Sequence, residues 1–107
     1  MSKFILSTDA NNRTVGTTQS VTTTSANYAI SGLGVIANTL RIANVGTVGL
    51  YYALDDAAVT ATTNDIYLPA GAVEYVNTPD SMLGIRNIGF ITAAGSTSIN
   101  ITVGTEV

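Results

Sequence analysis

Seven carboxylates, four basic side chains, five tyrosines and many Ser and Thr hydroxyls are the groups with which this 107-residue chain could do chemistry, because it contains neither histidine nor cysteine. The usual general base near neutral pH, the usual transition-metal ligand and the strongest nucleophile are therefore all missing. Asp55 and Asp56 with Asp65 form an oxygen-rich set, but the spacing and glycine of a calcium-binding loop are absent, and adjacent aspartates at a strand end read as a solvated turn. Glu74 and Asp80 carry no surrounding pattern that would make them a hydrolytic pair. The expectation is a protein that is not an enzyme and holds no metal or cofactor.

What remains is chemistry suited to contacts. Arg41 and Arg86 lie in two related stretches, where an outward arginine is either a solvated charge or a bidentate partner for a neighbour's carboxylate. Tyr51, Tyr67 and Tyr75 are amphipathic rings that fit strands and interfaces alike. Lys3, Arg13, Arg41 and Arg86 are all the basic residues, too scattered for a phosphate-binding footprint, and the net charge is −3, so no nucleic-acid partner is expected. No apolar run approaches the roughly 18 residues of a membrane span, and the short N-terminal run lacks a signal-peptide core, so neither a membrane partner nor export is expected. Charged residues make up 10% of the chain against 46% hydrophobic, below the roughly one quarter to one third that keeps an isolated surface solvated. That shortage points to assembly, here expected to be a homotrimer.

These groups must be positioned by strands. Leu40 to Leu54, L-R-I-A-N-V-G-T-V-G-L-Y-Y-A-L, alternates apolar and polar positions on either side of Gly46-Thr47 and reads as a hairpin. Leu83 to Gly89 repeats its Leu-x-Ile-x-Asn-(Val/Ile)-Gly opening, with Phe90 to Ala93 as a partner strand, so two hairpins packed face to face are expected to form the core. Val59 to Thr63 alternates as a further strand. Ile66-Tyr67-Leu68, Pro69-Ala70-Gly71 and Val73 to Asn77 read as a second hairpin or as a strand changing sheets, and Ile99 to Val103 as a half-buried strand. The Thr-rich stretch from Val15 to Ser31 is read as strand, and Gly32-Leu33-Gly34 as a bend. With helical spacing absent throughout, the prediction is one all-β domain, 1–107, an antiparallel jelly-roll-like sandwich of seven to nine short strands, in which 1–38 supplies an N-terminal arm and edge strands.

Lys3, Phe4, Ile5 and Leu6 open that arm. A strand of three consecutive apolar residues is apolar on both faces and needs cover, and burying Phe4 and Leu6 would stabilise by roughly 1.5–3 kcal/mol each. Pairing across a subunit boundary is one way to supply the cover. The candidate interface residues are then Lys3, Phe4, Ile5, Leu6, Arg13, Arg41, Tyr51, Tyr67, Tyr75 and Arg86.

From Leu40 to Gly104, the order of an arginine-bearing strand ending in Asn-x-Gly, a short apolar strand, D-I-Y-L-P-A-G-A-V-E-Y-V and a final L-G-I-R-N-I-G-F-I-T-A-A-G-S-T-S-I-N-I-T-V-G resembles the small virion proteins of tailed bacteriophages. The resemblance implies a β-sandwich that decorates or cements the head. Such a protein is made in the host cytoplasm, sits on the outer face of the major capsid protein lattice, and is commonly trimeric. A mildly acidic chain suits an outward face better than one against packaged DNA. A tail or head-to-tail connector component, or a receptor- or glycan-binding sandwich of a tail fibre, are the alternatives.

Overall fold

The computed structural model describes residues 4–6, 16–30, 39–55, 57–77 and 87–106. They form nine strands and no α-helix: β1 (Phe4–Leu6), β2 (Gly16–Val21), β3 (Ala26–Ala29), β4 (Thr39–Asn44), β5 (Leu50–Asp55), β6 (Ile66–Leu68), β7 (Val73–Asn77), β8 (Asn87–Ile91) and β9 (Thr97–Glu106). Sheet I has the order β1-β9-β4-β7, with β2 also on β9; sheet II has the order β3-β8-β5-β6. All pairings are antiparallel.

The pairing follows one rule. β5 pairs with β6, β4 with β7, β3 with β8 and β2 with β9, so the chain is a long hairpin nested around the β5–β6 connection. Two further pairings, β4 with β9 and β5 with β8, show how that ribbon is rolled into two sheets. This is the order of a jelly roll, and the all-β sandwich expected from the alternation is what forms.

The core lies where the two inner faces meet. Leu40, Ile42, Ile99, Ile101 and Val103 from sheet I pack in one buried cluster with Leu50, Tyr52, Leu68, Ile88 and Phe90 from sheet II. In each strand these are alternate residues, as a pleated ribbon with one buried face requires. Full burial of a Leu, Ile or Phe side chain contributes about 1.5–3 kcal/mol, so this face outweighs any other single source of stability.

Several expected connections differ. Leu40 to Leu54 is not a hairpin: β4 belongs to sheet I and β5 to sheet II, and 45–49 turns a corner between them. The echoed stretch is not a hairpin either. Asn87 and Phe90 lie on the same strand, β8, whose successor β9 is in the other sheet. Residues 69–72 likewise carry the chain from β6 in sheet II to β7 in sheet I, the second of the two readings of that segment, with Gly71 at φ 79° in the turn. Val21 ends β2, and the alternation that continues through Thr23 and Ser25 falls in a further corner, 22–25.

Val59 to Thr63 joins no ladder. Its backbone is satisfied by side chains instead: Val59 N donates to Asn27 Oδ1 at 2.9 Å and Ala61 N to Ser25 Oγ at 2.8 Å. The segment crosses Gly89, where a Cβ would stand 2.6 Å from Val59 O. β1 pairs with β9 of its own chain, Phe4 opposite Glu106 and Leu6 opposite Gly104, so the backbone of the apolar N-terminal run has a partner within the chain. The Gly32-Leu33-Gly34 bend lies outside the described residues.

Candidate functional site

Two of the polar ties between the sheets define two regions. The first is the corner at the end of β4. Asn44 is buried, and its amide uses every hydrogen-bonding position it has: Nδ2 donates to Val48 O (2.8 Å) and Leu68 O (3.1 Å), while Oδ1 accepts from Gly46 N (3.2 Å) and Thr97 Oγ1 (2.7 Å). Its backbone adds bonds to Ala72 O and from Gly71 N. One residue thus holds the 45–49 and 69–72 corners and the first residue of β9. Gly46 allows the close approach, since a Cβ there would overlap Thr97 Oγ1 and stand 3.0 Å from Thr97 Cα. Saturated in this way, Asn44 is a structural hub and not a ligand group.

The second region is the flank where β6 and β7, the edge strands of the two sheets, lie along the same side of the sandwich. Here the Tyr52 hydroxyl of sheet II donates to Glu74 Oε1 of sheet I at 2.5 Å. Burial, then the hydrogen bond to Glu74 and that residue's negative charge, push the Tyr52 phenol well above the ordinary tyrosine range, so it stays a donor at any physiological pH. Glu74 shares the inner face with its cross-strand neighbour Ile42. The carboxylate is therefore engaged by Tyr52, while Asp80, its imagined hydrolytic companion, lies outside the described residues.

Beside this tie the flank carries most of the exposed large hydrophobic side chains among the described residues: they are Val45, Ile66, Tyr67, Val73 and Tyr75, and all but Val45 lie on β6 and β7. Tyr67 packs against Tyr51 with ring centroids 5.0 Å apart, tilted by 47°, on the outer face of sheet II, and covers Gly49. Tyr75 stands on the outer face of sheet I, cross-strand from half-buried Arg41, which in turn is opposite Thr102. The three candidate tyrosines are thus divided between opposite faces and joined only by the flank.

Of the other sequence candidates, Lys3, Arg13 and Arg86 lie outside the described residues, and Phe4, Ile5 and Leu6 are placed by their backbone in β1. Asp65 works locally, Oδ2 accepting from Thr62 N at 2.7 Å to close the turn before β6. Asp55 ends β5, and Asp56 lies outside the described residues. Ile66 and Val73 were not singled out from sequence, nor was Tyr52. Tyr52 had a legible signal, since it alternates in step with Leu50 and Leu54 and an inward tyrosine must find a partner for its hydroxyl.

No family model matches the chain, and no curated protein does. Four chains of solved structures match. One is a crystal structure of PirA, similar with a TM-score of 0.54 and 13% identity over 89% of this chain and 99% of that one. At that identity the likeness is one of fold.

Proposed function

We propose that this chain is a non-enzymatic structural protein of a phage virion, a decoration or cement protein that binds the major capsid protein on the outer face of the head. The observation that carries the reading is the concentration of Ile66, Tyr67, Val73 and Tyr75 on two adjacent edge strands of a sandwich with few charges. Exposed apolar side chains gathered along one flank, in place of charges, suit protein–protein contact. The sequence resemblance to small virion proteins supplies the capsid as the surface concerned, and jelly rolls recur in virion proteins.

The test is reconstitution. Purified protein is mixed with phage heads stripped of outer proteins, and bound copies are counted by quantitative gel and by image reconstruction. The expected result is many copies spread over the lattice and heads that resist heat longer, with both effects reduced by Ile66→Ser and Tyr67→Ser. Binding confined to one vertex or to tails would replace decoration with a connector role. The Tyr51–Tyr67 pair favours a second reading, a glycan-binding sandwich at a fibre tip, and glycan-array binding abolished by Tyr67→Ser with no head binding would establish it instead.

A further inference from the structure

Each sheet of the sandwich has two edges, and both edges of sheet II are blunted. β6 is three residues long and is followed by Pro69, which cannot donate to a ladder. β3 has four residues, and its Asn27 side chain is bonded to the crossing segment at Val59 N. The edge of sheet I beyond β9 is divided between two strands, β1 and β2, and β2 is lined by the polar residues Thr17, Thr18, Gln19 and Ser20. β7 differs in carrying the exposed apolar side chains Val73 and Tyr75 along one five-residue strand that contains neither Lys nor Pro and has no described strand on its outer side.

An inward charge is a further device that discourages edge pairing, and Glu74 occupies such a position. Its carboxylate is already held by the Tyr52 hydroxyl beneath its own sandwich. A strand laid against β7 would therefore not bury an unpartnered charge.

The geometry points to a second copy of this chain as the occupant of that edge: β7 pairs antiparallel with β7 of a second copy about a two-fold axis through Tyr75, joining the two sheets I into one. Tyr75 is the middle residue of the strand. In this register it faces Tyr75 of the second copy, Val73 faces Asn77, and Glu74 faces Val76. The register centred on Glu74 would instead set two carboxylates opposite each other, which is unfavourable. On the outer face the central tyrosine pair is flanked on both sides by Arg41, its cross-strand neighbour in each copy. An aromatic pair bordered by cations is a favourable arrangement on a strand face. The contact is isologous and closes at two copies, in place of the trimer that composition suggests.

This pairing is independent of the capsid reading and is tested on the free protein. Edge pairing over five residues is a small interface, so a dissociation constant of about 1–100 µM is expected by sedimentation equilibrium of the full chain. Tyr75→Lys, which sets like charges opposite each other across the pair, should raise it more than about tenfold, with a small fall in melting temperature because the new lysine also stands cross-strand from Arg41. Because the chain has no cysteine, single cysteines report the register. Tyr75→Cys should oxidise to a disulfide dimer much faster than Val73→Cys, since only the former meets its own copy within disulfide reach. A monomer at the highest concentration, a trimer, or equal cross-linking rates at the two positions would overturn the proposal. Ile66→Ser, which lies on β6 and off the pairing strand, should leave the dissociation constant unchanged, so its head binding tests the capsid reading separately.

Discussion

The Asn44 corner and the Tyr52–Glu74 flank do similar work by different means. Both put a polar group between the sheets, yet Asn44 engages four neighbours and leaves no capacity over, whereas Tyr52 and Glu74 are joined by one bond beside exposed apolar residues. A saturated tie fixes which strands turn the corner, and it cannot be rearranged without orphaning buried groups. A single tie at an edge aligns the sheets but leaves the adjacent surface available to a partner. The difference separates the part of the molecule that specifies the fold from the part available for contact.

The largest effect should come from Asn44→Ala, which strips partners from two carbonyls, an amide and a hydroxyl. A loss of about 3–4 kcal/mol in urea unfolding is expected, and a loss no greater than that of the flank variants would erase the distinction. Gly46→Ala comes next, at about 2–3 kcal/mol, because the added methyl must displace Thr97, including its backbone, and disturb the Asn44 bond. Tyr52→Phe should cost about 1 kcal/mol, since half-buried Glu74 can recover its lost bond from water.

Tyr52 also gives that comparison a pH dependence. Its phenol is raised in the folded state, so its contribution is fully present below the unfolded value of about 10 and is lost as pH rises above that. Chemical denaturation between pH 8 and 11.5 should show a steeper alkaline decline for the parent than for Tyr52→Phe. The smallest stability effect belongs to Ile66→Ser, within about 0.5 kcal/mol at a side chain that is 52% exposed, with its consequence confined to association.

Alternation located most of the strands, because a ribbon with one buried face writes a period of two into its sequence. Leu40, Ile42, Leu50, Tyr52, Leu54, Ile99 and Ile101 were assigned to common faces on that basis, and they pack against or within the core. Alternation carries no information about which sheet the next strand joins. A five-residue link such as 45–49 suits a hairpin or a corner equally, and the choice is made by Asn44 reaching Leu68 O and Thr97 Oγ1, residues far away in sequence. The echoed Leu-x-Ile-x-Asn-x-Gly pattern misled for the same reason. Asn44 closes a strand and Asn87 opens one, and Gly46 and Gly89 are small to admit Thr97 and Val59 respectively. Val59 to Ala61 alternates like a strand but bonds to side chains. At the flank, Tyr51, Tyr67 and Tyr75 could be named from residue type, while their division between two outer faces follows only from β6 and β7 belonging to different sheets.

The nested pairing has a consequence in time. β5 and β6 can pair as soon as both have been synthesised, but each outer pair must wait for a strand further along the chain, and β9, which borders β1, β2 and β4, comes last. Until β9 leaves the ribosome, β4 has its partner on one side alone and β1 and β2 have none. Non-local closure of this kind is slow, because chain entropy is lost before the contacts that reward it have formed. During that interval the unpaired edges of sheet I are open to other nascent chains. Yield on expression should therefore depend on how quickly β9 is delivered, and slow codons placed just ahead of Thr97 should cost more soluble protein than the same codons placed just ahead of Gly16.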